Sequence, residues 1–180
     1  PYDDCNALAE LLNQYPGEFA AVILEPVNSQ EPGEGYLNSV REVTHQQGAL
    51  LVFDETITGF RVARGGAQEL YGVAPDLATF GKGMANGMPL SAVVGSAEYM
   101  RKMEDIFFST TFGGETLSLA AAKAVLTKIK NAPVIERLND LGKRLKQKLV
   151  NVIHTHQLQN ILQLRGLPAW TFLAITKKER

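Results

Sequence analysis

Several things are scarce in this sequence, and each scarcity narrows its reading. One cysteine, Cys5, stands among 180 residues, so no disulfide can close within the chain and a reducing cytoplasm is the expected compartment. Lys and Arg number 18 against 19 Asp and Glu, a net charge of −1. That balance gives no field to hold nucleic acid or an anionic membrane. No apolar run approaches the roughly 18 residues of a membrane span, and the first residues lack the basic-then-apolar layout of a signal peptide. With three histidines in all, no metal centre is expected. What remains is a chain 45% hydrophobic and 21% charged, a soluble globular composition able to bury a core without disulfides or structural metal. A small molecule or another protein is the expected partner.

The hydrophobic pattern alternates between short continuous runs and helical periodicity. Residues 3–13 read as a helix capped by Asp3 or Asp4, with Leu8, Leu11 and Leu12 on one face. The run "AAVIL" (20–24) has the character of a strand buried on both faces. A helix follows at 36–47, with Leu37, Val40 and Val43/Thr44 at helical spacing, and stops at Gly48. A second buried strand, "ALLVF" (49–53), ends at Asp54-Glu55. Strand, helix and strand make a crossover unit with a parallel pair. A short helix near 67–71 and two further strands, "LATF" (77–80) and "LSAVVGS" (90–96), continue the layer. Residues 116–130 form an alanine-rich helix with basic residues in its last turns. Pro133 marks a boundary, after which Ile135, Leu138, Leu141, Leu145, Leu149 and Val152 track one face of a long helix ending near His154. "ILQLRG" and "WTFLAI" are strands of a smaller unit. The expected fold is α/β with a mostly parallel sheet over residues 1–131, followed by an incomplete α+β piece over 132–180.

In an open parallel sheet, ligands sit outside the carboxyl ends of the strands, and three features fall at such ends. Asp54 and Glu55 close one strand, Lys82 follows another between Gly81 and Gly83, and "STTFGGET" leads into the helix at 116. Each has an ordinary explanation: a loop carboxylate, a solvated lysine, a helix cap. Together they match one chemistry. A lysine amine joins an aldehyde cofactor as a Schiff base, and the flanking glycines let backbone approach a ligand closely. A carboxylate paired with a pyridinium nitrogen keeps the ring an electron sink. Hydroxyls and N–H groups at a helix start suit a phosphate. Pyridoxal 5'-phosphate uses all three.

The stretch "LLVFDETITGFRVARGGAQELYGVAPDLATFGKGMANGMPLSAVVG" (50–95), with "AAVILEPV" (20–27) before it and "TTFGGETLSLAAAKAVL" (110–126) after, resembles the core of the class III pyridoxal phosphate-dependent aminotransferases. These have fold type I, and the likeness is nearest the glutamate-1-semialdehyde aminomutase-like branch. Arg61 in "TGFR" points to that branch, since relatives carry "GxGRTG" there. The resemblance implies amino-group transfer, by an aminotransferase or a 2,1-aminomutase, between small-molecule amino donors and acceptors. It makes Lys82 the Schiff-base lysine and Asp54 the partner of the pyridine nitrogen. Thr111 would reach the cofactor phosphate of the neighbouring subunit in a homodimer, and Glu25, in the "EP" pair, would lie near the cofactor. A sugar or ω-amino-acid aminotransferase is the alternative within the enzyme class.

There are also departures. Thr56 stands where the family commonly has a valine packed on the cofactor ring, bringing a hydroxyl that needs a partner. "FGGET" (112–116) replaces the more usual "LSGNP". The family's glycine/serine-rich phosphate loop, its ring-stacking aromatic and most of its C-terminal domain have no counterpart, so the chain reads as the middle of an aminotransferase. That leaves a second class of reading, a non-catalytic fragment or interaction subunit that cannot hold the cofactor alone. His154 and His156 are expected on the surface, and His45 solvated on its helix. Trp170 and Phe172 are expected in the core of the second unit, and Lys/Arg 143–148 on the polar face of a helix.

Overall fold

The computed structural model describes residues 1–176. Its first half is a strand–helix succession: α1 (Cys5–Gln14), β1 (Ala21–Leu24), α2 (Tyr36–Gln46), β2 (Leu50–Asp54), α3 (Ala67–Tyr71), β3 (Leu77–Phe80) and β4 (Ala92–Gly95). The four strands form one sheet in the order β1-β2-β3-β4. Strands β1, β2 and β3 run parallel, with Leu24 opposite Phe53 and Asp54 opposite Thr79, while β4 returns antiparallel to β3. The expected α/β architecture with a mostly parallel sheet is what forms.

Local chemistry accounts for the element ends. Asp4 caps α1, its carboxylate accepting the Ala7 N–H at 3.0 Å, and α2 gives way to Gly48 at φ 70°, a conformation that suits glycine. The core lies on one face of the sheet, where Leu51 and Phe53 are fully buried against Leu37 and Val40 of α2 and Val73. A second cluster joins Ala78 and Phe80 of β3 to Met84, Ala85 and Ala122.

The opposite face differs from expectation. Continuous apolar runs predict strands buried on both sides, yet Ile23 is 64% exposed and its row-mates Val52 and Leu77 are only half-buried. The helices among the described residues cover the Leu51/Phe53 side, and β1 is an edge. Asp54 and Thr79 share the open face with Val52 and Leu77, because side chains alternate along a strand. Leu11, expected on the buried side of α1, is 46% exposed.

Beyond β4 come α4 (Ala97–Met100), α5 (Thr116–Asn131), α6 (Val134–Thr155) and an antiparallel hairpin of β5 (Leu162–Arg165) and β6 (Phe172–Ile175). The leucine stripe expected to be the core side of α6 is split. Leu138, Leu141, Leu145 and Val152 are 39–53% exposed, whereas Ile135 and Ile153 are buried. The packed face is turned toward Gly142 and Lys146: Gly142 lies directly under the Pro168 carbonyl and Lys146 Nζ donates to Gly166 O at 2.7 Å. Gly142 is the only residue of α6 without a side chain, so hairpin backbone approaches closest there. Trp170 and Phe172 pack against each other at 5.0 Å and are half-buried rather than fully in a core. The end of the 132–180 unit, residues 177–180, lies outside the described residues.

Candidate active site

The carboxyl ends of β1, β2 and β3 come level, and the residues there converge. The exposed Glu25 follows the Leu24–Phe53 pair at the end of β1, and Asp54 at the end of β2 is paired with Thr79. Asp54 Oδ1 accepts the Thr56 N–H at 2.9 Å and the Thr79 hydroxyl at 3.1 Å. Burial would raise the Asp54 carboxyl, but the donors of Thr56 and Thr79 and the positive charge of Lys82 outweigh it and hold it below the ordinary carboxylate range. Asp54 is therefore a carboxylate anion on the half-open face of the sheet.

Lys82 opens a 3₁₀ turn, Lys82–Met84, directly after Gly81. It is exposed, and its φ of 37° is a left-handed value that a non-glycine residue adopts only when its surroundings impose it. Those surroundings are the loop after β2. A Cβ on Gly81 would meet the Thr56 methyl at 3.4 Å, and one on Gly83 would meet Gly59 O at 3.6 Å. The glycines flanking Lys82 thus receive the protein's own loop at close range. The Thr56 backbone serves Asp54 while its methyl lies toward Gly81, so two predicted site residues and the lysine turn form one constellation.

Thr79 and Glu55 went unassigned in the sequence reading. A lone hydroxyl in the apolar run "LATF" was the available signal for Thr79, but only the register shows that it serves Asp54. Glu55 is fully buried and accepts from the Thr58 hydroxyl and from the N–H groups of Ala67 and Gln68, both at 2.8 Å.

The phosphate side departs from expectation. The first turn of α5 is already capped: Glu115 accepts from Leu117 N and Ser118 N, both at 2.7 Å, and from the Ser118 hydroxyl. Glu115 is held below the ordinary carboxylate range by the Ser118 hydroxyl and these N–H groups. A carboxylate already occupies the place a phosphate would take. Thr111 is exposed and lines a cavity of about 560 Å³ with Leu90, Ser91, Phe108, Phe112 and Gly113. It forms no hydrogen bond with Asp54 or Lys82 among the described residues, and it lies toward them only by way of Leu90 and Ser91, which border Gly81. Around it Ile106, Phe107, Phe108 and Phe112 are 55–96% exposed.

No group of three or more His, Cys, Asp or Glu among the described residues could hold a metal ion, and no described helix is long and apolar enough to cross a membrane. His154 and His156 are exposed. His45 Nε2 meets Asp76 at 2.9 Å, away from the site. Burial pushes the Cys5 thiol up, which disfavours the thiolate.

The family model for aminotransferase class-III matches residues 3–180. The chain belongs to the class-III aminotransferase family. A glutamate-1-semialdehyde 2,1-aminomutase of Archaeoglobus fulgidus is 42% identical over 160 residues, 85% of this chain and 38% of that protein. Among solved structures, an omega-transaminase from Sphaerobacter thermophilus superposes with a TM-score of 0.88 at 28% identity, over 99% of this chain and 42% of that one. The FumI protein of Sphingopyxis sp. MTA144, solved in its PLP internal aldimine form, matches with a TM-score of 0.86 at 32% identity, over 96% of this chain and 43% of its own. This class-III chain therefore spans about two fifths of the length of the relatives it matches. In its fold, the constellation of Asp54, Thr56 and Lys82 stands at the carboxyl ends of the parallel strands.

Proposed function

We propose that the protein containing this chain carries out pyridoxal 5'-phosphate-dependent amino-group transfer, as an aminotransferase or a glutamate-1-semialdehyde-type 2,1-aminomutase. The observation that carries this reading is the ionised Asp54 within the field of Lys82 at the carboxyl ends of parallel strands. The residues present suit two of the cofactor's three handles. Asp54 would hold the ring nitrogen and Lys82 Nζ the aldehyde carbon, with Thr56 and Glu25 beside them. The third handle, the phosphate, has no seat at the start of α5. When bound, the cofactor supplies an aldehyde and an electron-withdrawing ring.

Asp54 keeps a negative charge opposite that ring's nitrogen and so favours its protonated form. Lys82 Nζ, once it is a free amine and no longer engaged with the aldehyde, would remove the proton from the substrate carbon that carries the amino group and afterwards return one. Thr79 and the Thr56 N–H hold Asp54 in place through Oδ1. Residues 1–131 are assigned to the cofactor-binding large domain and 132–180 to the beginning of a C-terminal domain. Thr111, in its apolar exposed segment, would serve the phosphate of a neighbouring subunit in a homodimer, and the cytoplasm is the proposed compartment.

The capped start of α5 and the exposed Lys82 favour one second reading, a unit that keeps the fold but does not retain the cofactor alone. One experiment separates the two. The purified chain incubated with pyridoxal 5'-phosphate and desalted should keep a yellow Schiff-base absorbance, and Lys82→Ala should lose it. A colourless wild-type chain would leave the second reading standing. Turnover with candidate amino donors then divides transferase from mutase.

A further inference from the structure

We propose that Glu55 is a positioning residue for Lys82, acting through the loop that the two share; the inference rests on Lys82 being the reactive lysine. Glu55 is 0% exposed, and each of its carboxyl oxygens receives donors from farther along the chain. Oε2 accepts from the Thr58 hydroxyl and from Ala67 N, and Oε1 accepts from Gln68 N. None of these donors carries a charge. The group therefore gathers three points of one excursion, residues 56–68, back onto the end of β2. Its backbone does the same: Glu55 N donates to Thr79 O at 2.9 Å, and Glu55 O accepts from Gly59 N at 2.8 Å. Gly66 must be glycine for this, since its φ is 83° and a Cβ there would overlap the Glu55 carboxyl.

The gathered loop is what touches the lysine turn. Gly59 lies against the Phe80 ring so closely that a Cβ would overlap it, and Phe60 packs on Phe80 with ring centroids 5.3 Å apart. Phe80 is the last residue of β3, two before Lys82. Beyond it the Thr56 methyl and Gly59 O lie 3.4 and 3.6 Å from where a Cβ on Gly81 and on Gly83 would stand. Loop 56–60 thus faces the glycines on both sides of Lys82, whose φ of 37° is a conformation that its surroundings must hold. Weakening the Glu55 anchor loosens the loop, and the loop releases the turn.

The test compares the wild-type chain with Glu55→Gln, which keeps the shape but presents an amide N–H₂ to donors, and with Thr58→Val, which removes one donor. Leu12→Ala, a core truncation in α1 remote from the loop, is the control. Limited acetylation with acetic anhydride, read by peptide mass spectrometry, gives the rate at Lys82 relative to Lys123 and Lys128 on α5. The expected result is a Lys82 ratio changed by about threefold or more in Glu55→Gln, because one buried hydrogen bond shifts a local equilibrium by at least that factor. Thr58→Val should change it less, in the same direction, and Leu12→Ala should leave it at the wild-type value. Induced circular dichroism of pyridoxal 5'-phosphate, per bound cofactor, should weaken in the same order. An unchanged Lys82 ratio in Glu55→Gln and Thr58→Val overturns the inference, as does an equal change in Leu12→Ala. If Glu55→Gln fails to fold, Thr58→Val decides. If the wild type binds no cofactor while its Lys82 ratio still responds to Glu55, the chain does not retain the cofactor alone and the positioning of Lys82 by Glu55 stands.

Discussion

Gly142 poses a choice of sign. In a helix interior, glycine costs about 1 kcal/mol relative to alanine, so propensity alone makes Gly142→Ala stabilising. The tertiary structure reverses this. A Cβ at 142 would overlap the carbonyl carbon and oxygen of Pro168 and lie 3.1 Å from Ala169 N. These are backbone atoms, and no rotamer change moves them away. Overpacking of this kind costs about 1–3 kcal/mol, with the upper end expected against a rigid neighbour. Lifting the 168–170 turn also strains two hydrogen bonds, from Lys146 Nζ to Gly166 O at 2.7 Å and from Arg61 Nη1 to Ala169 O at 2.9 Å. Each contributes about 1 kcal/mol. Set against the propensity gain, the net effect is a destabilisation of about 2–3 kcal/mol. For a chain of this size that lowers Tm by roughly 5–10 °C. The reporter is built in: Trp170, the single tryptophan, sits in the displaced turn. Urea unfolding followed by its fluorescence should show a lower midpoint and a native emission shifted to the red. A raised midpoint with unchanged emission would show that α6 and the hairpin are not packed through Gly142, and the reasoning would be wrong.

Two further outcomes follow from the site and its surroundings. Asp54 has a depressed carboxyl, so its contribution to stability is present above the unfolded value of about 3.9 and lost as pH falls through the folded one. Asp54→Asn should therefore unfold at lower urea than wild type at pH 7, the gap closing below about pH 4; a gap constant down to pH 3 would refute this. Tyr71 has a buried hydroxyl with no partner among the described residues, and burial, aided by the Glu31 charge, pushes it up to about 12. Tyr71→Phe should raise stability by about 1 kcal/mol in urea titration, and a comparable loss would reveal a partner for that hydroxyl.

Much of this protein can be read along the chain. Elements short in sequence and strong in pattern, such as "ALLVF" ending on Asp54 or the periodic run from Tyr36 to Gln46, form where expected because their hydrophobic period and end signals are local. The position of Lys82 after a strand and between glycines is local too. The stripe on α6 was less legible. Its leucines mark a face that could be buried, but the hairpin chose the neighbouring face, where Gly142 allows the backbone to come closest. The continuous apolar run of β1 likewise permitted burial on both sides, and the described helices supply it on one.

The sequence alone determined which groups the strand ends can offer, because a lysine, a strand-end carboxylate and their glycines are chemical identities that no fold can change. Only the tertiary structure decided how those groups are held. Strand register brought Thr79 to Asp54 from 25 residues away, and a buried carboxyl at Glu55 drew a loop against the lysine turn. Glu115 filled the helix start that a phosphate would have used. Each of these depends on distances between residues far apart in the chain, which hydrophobic period and motif spacing do not encode.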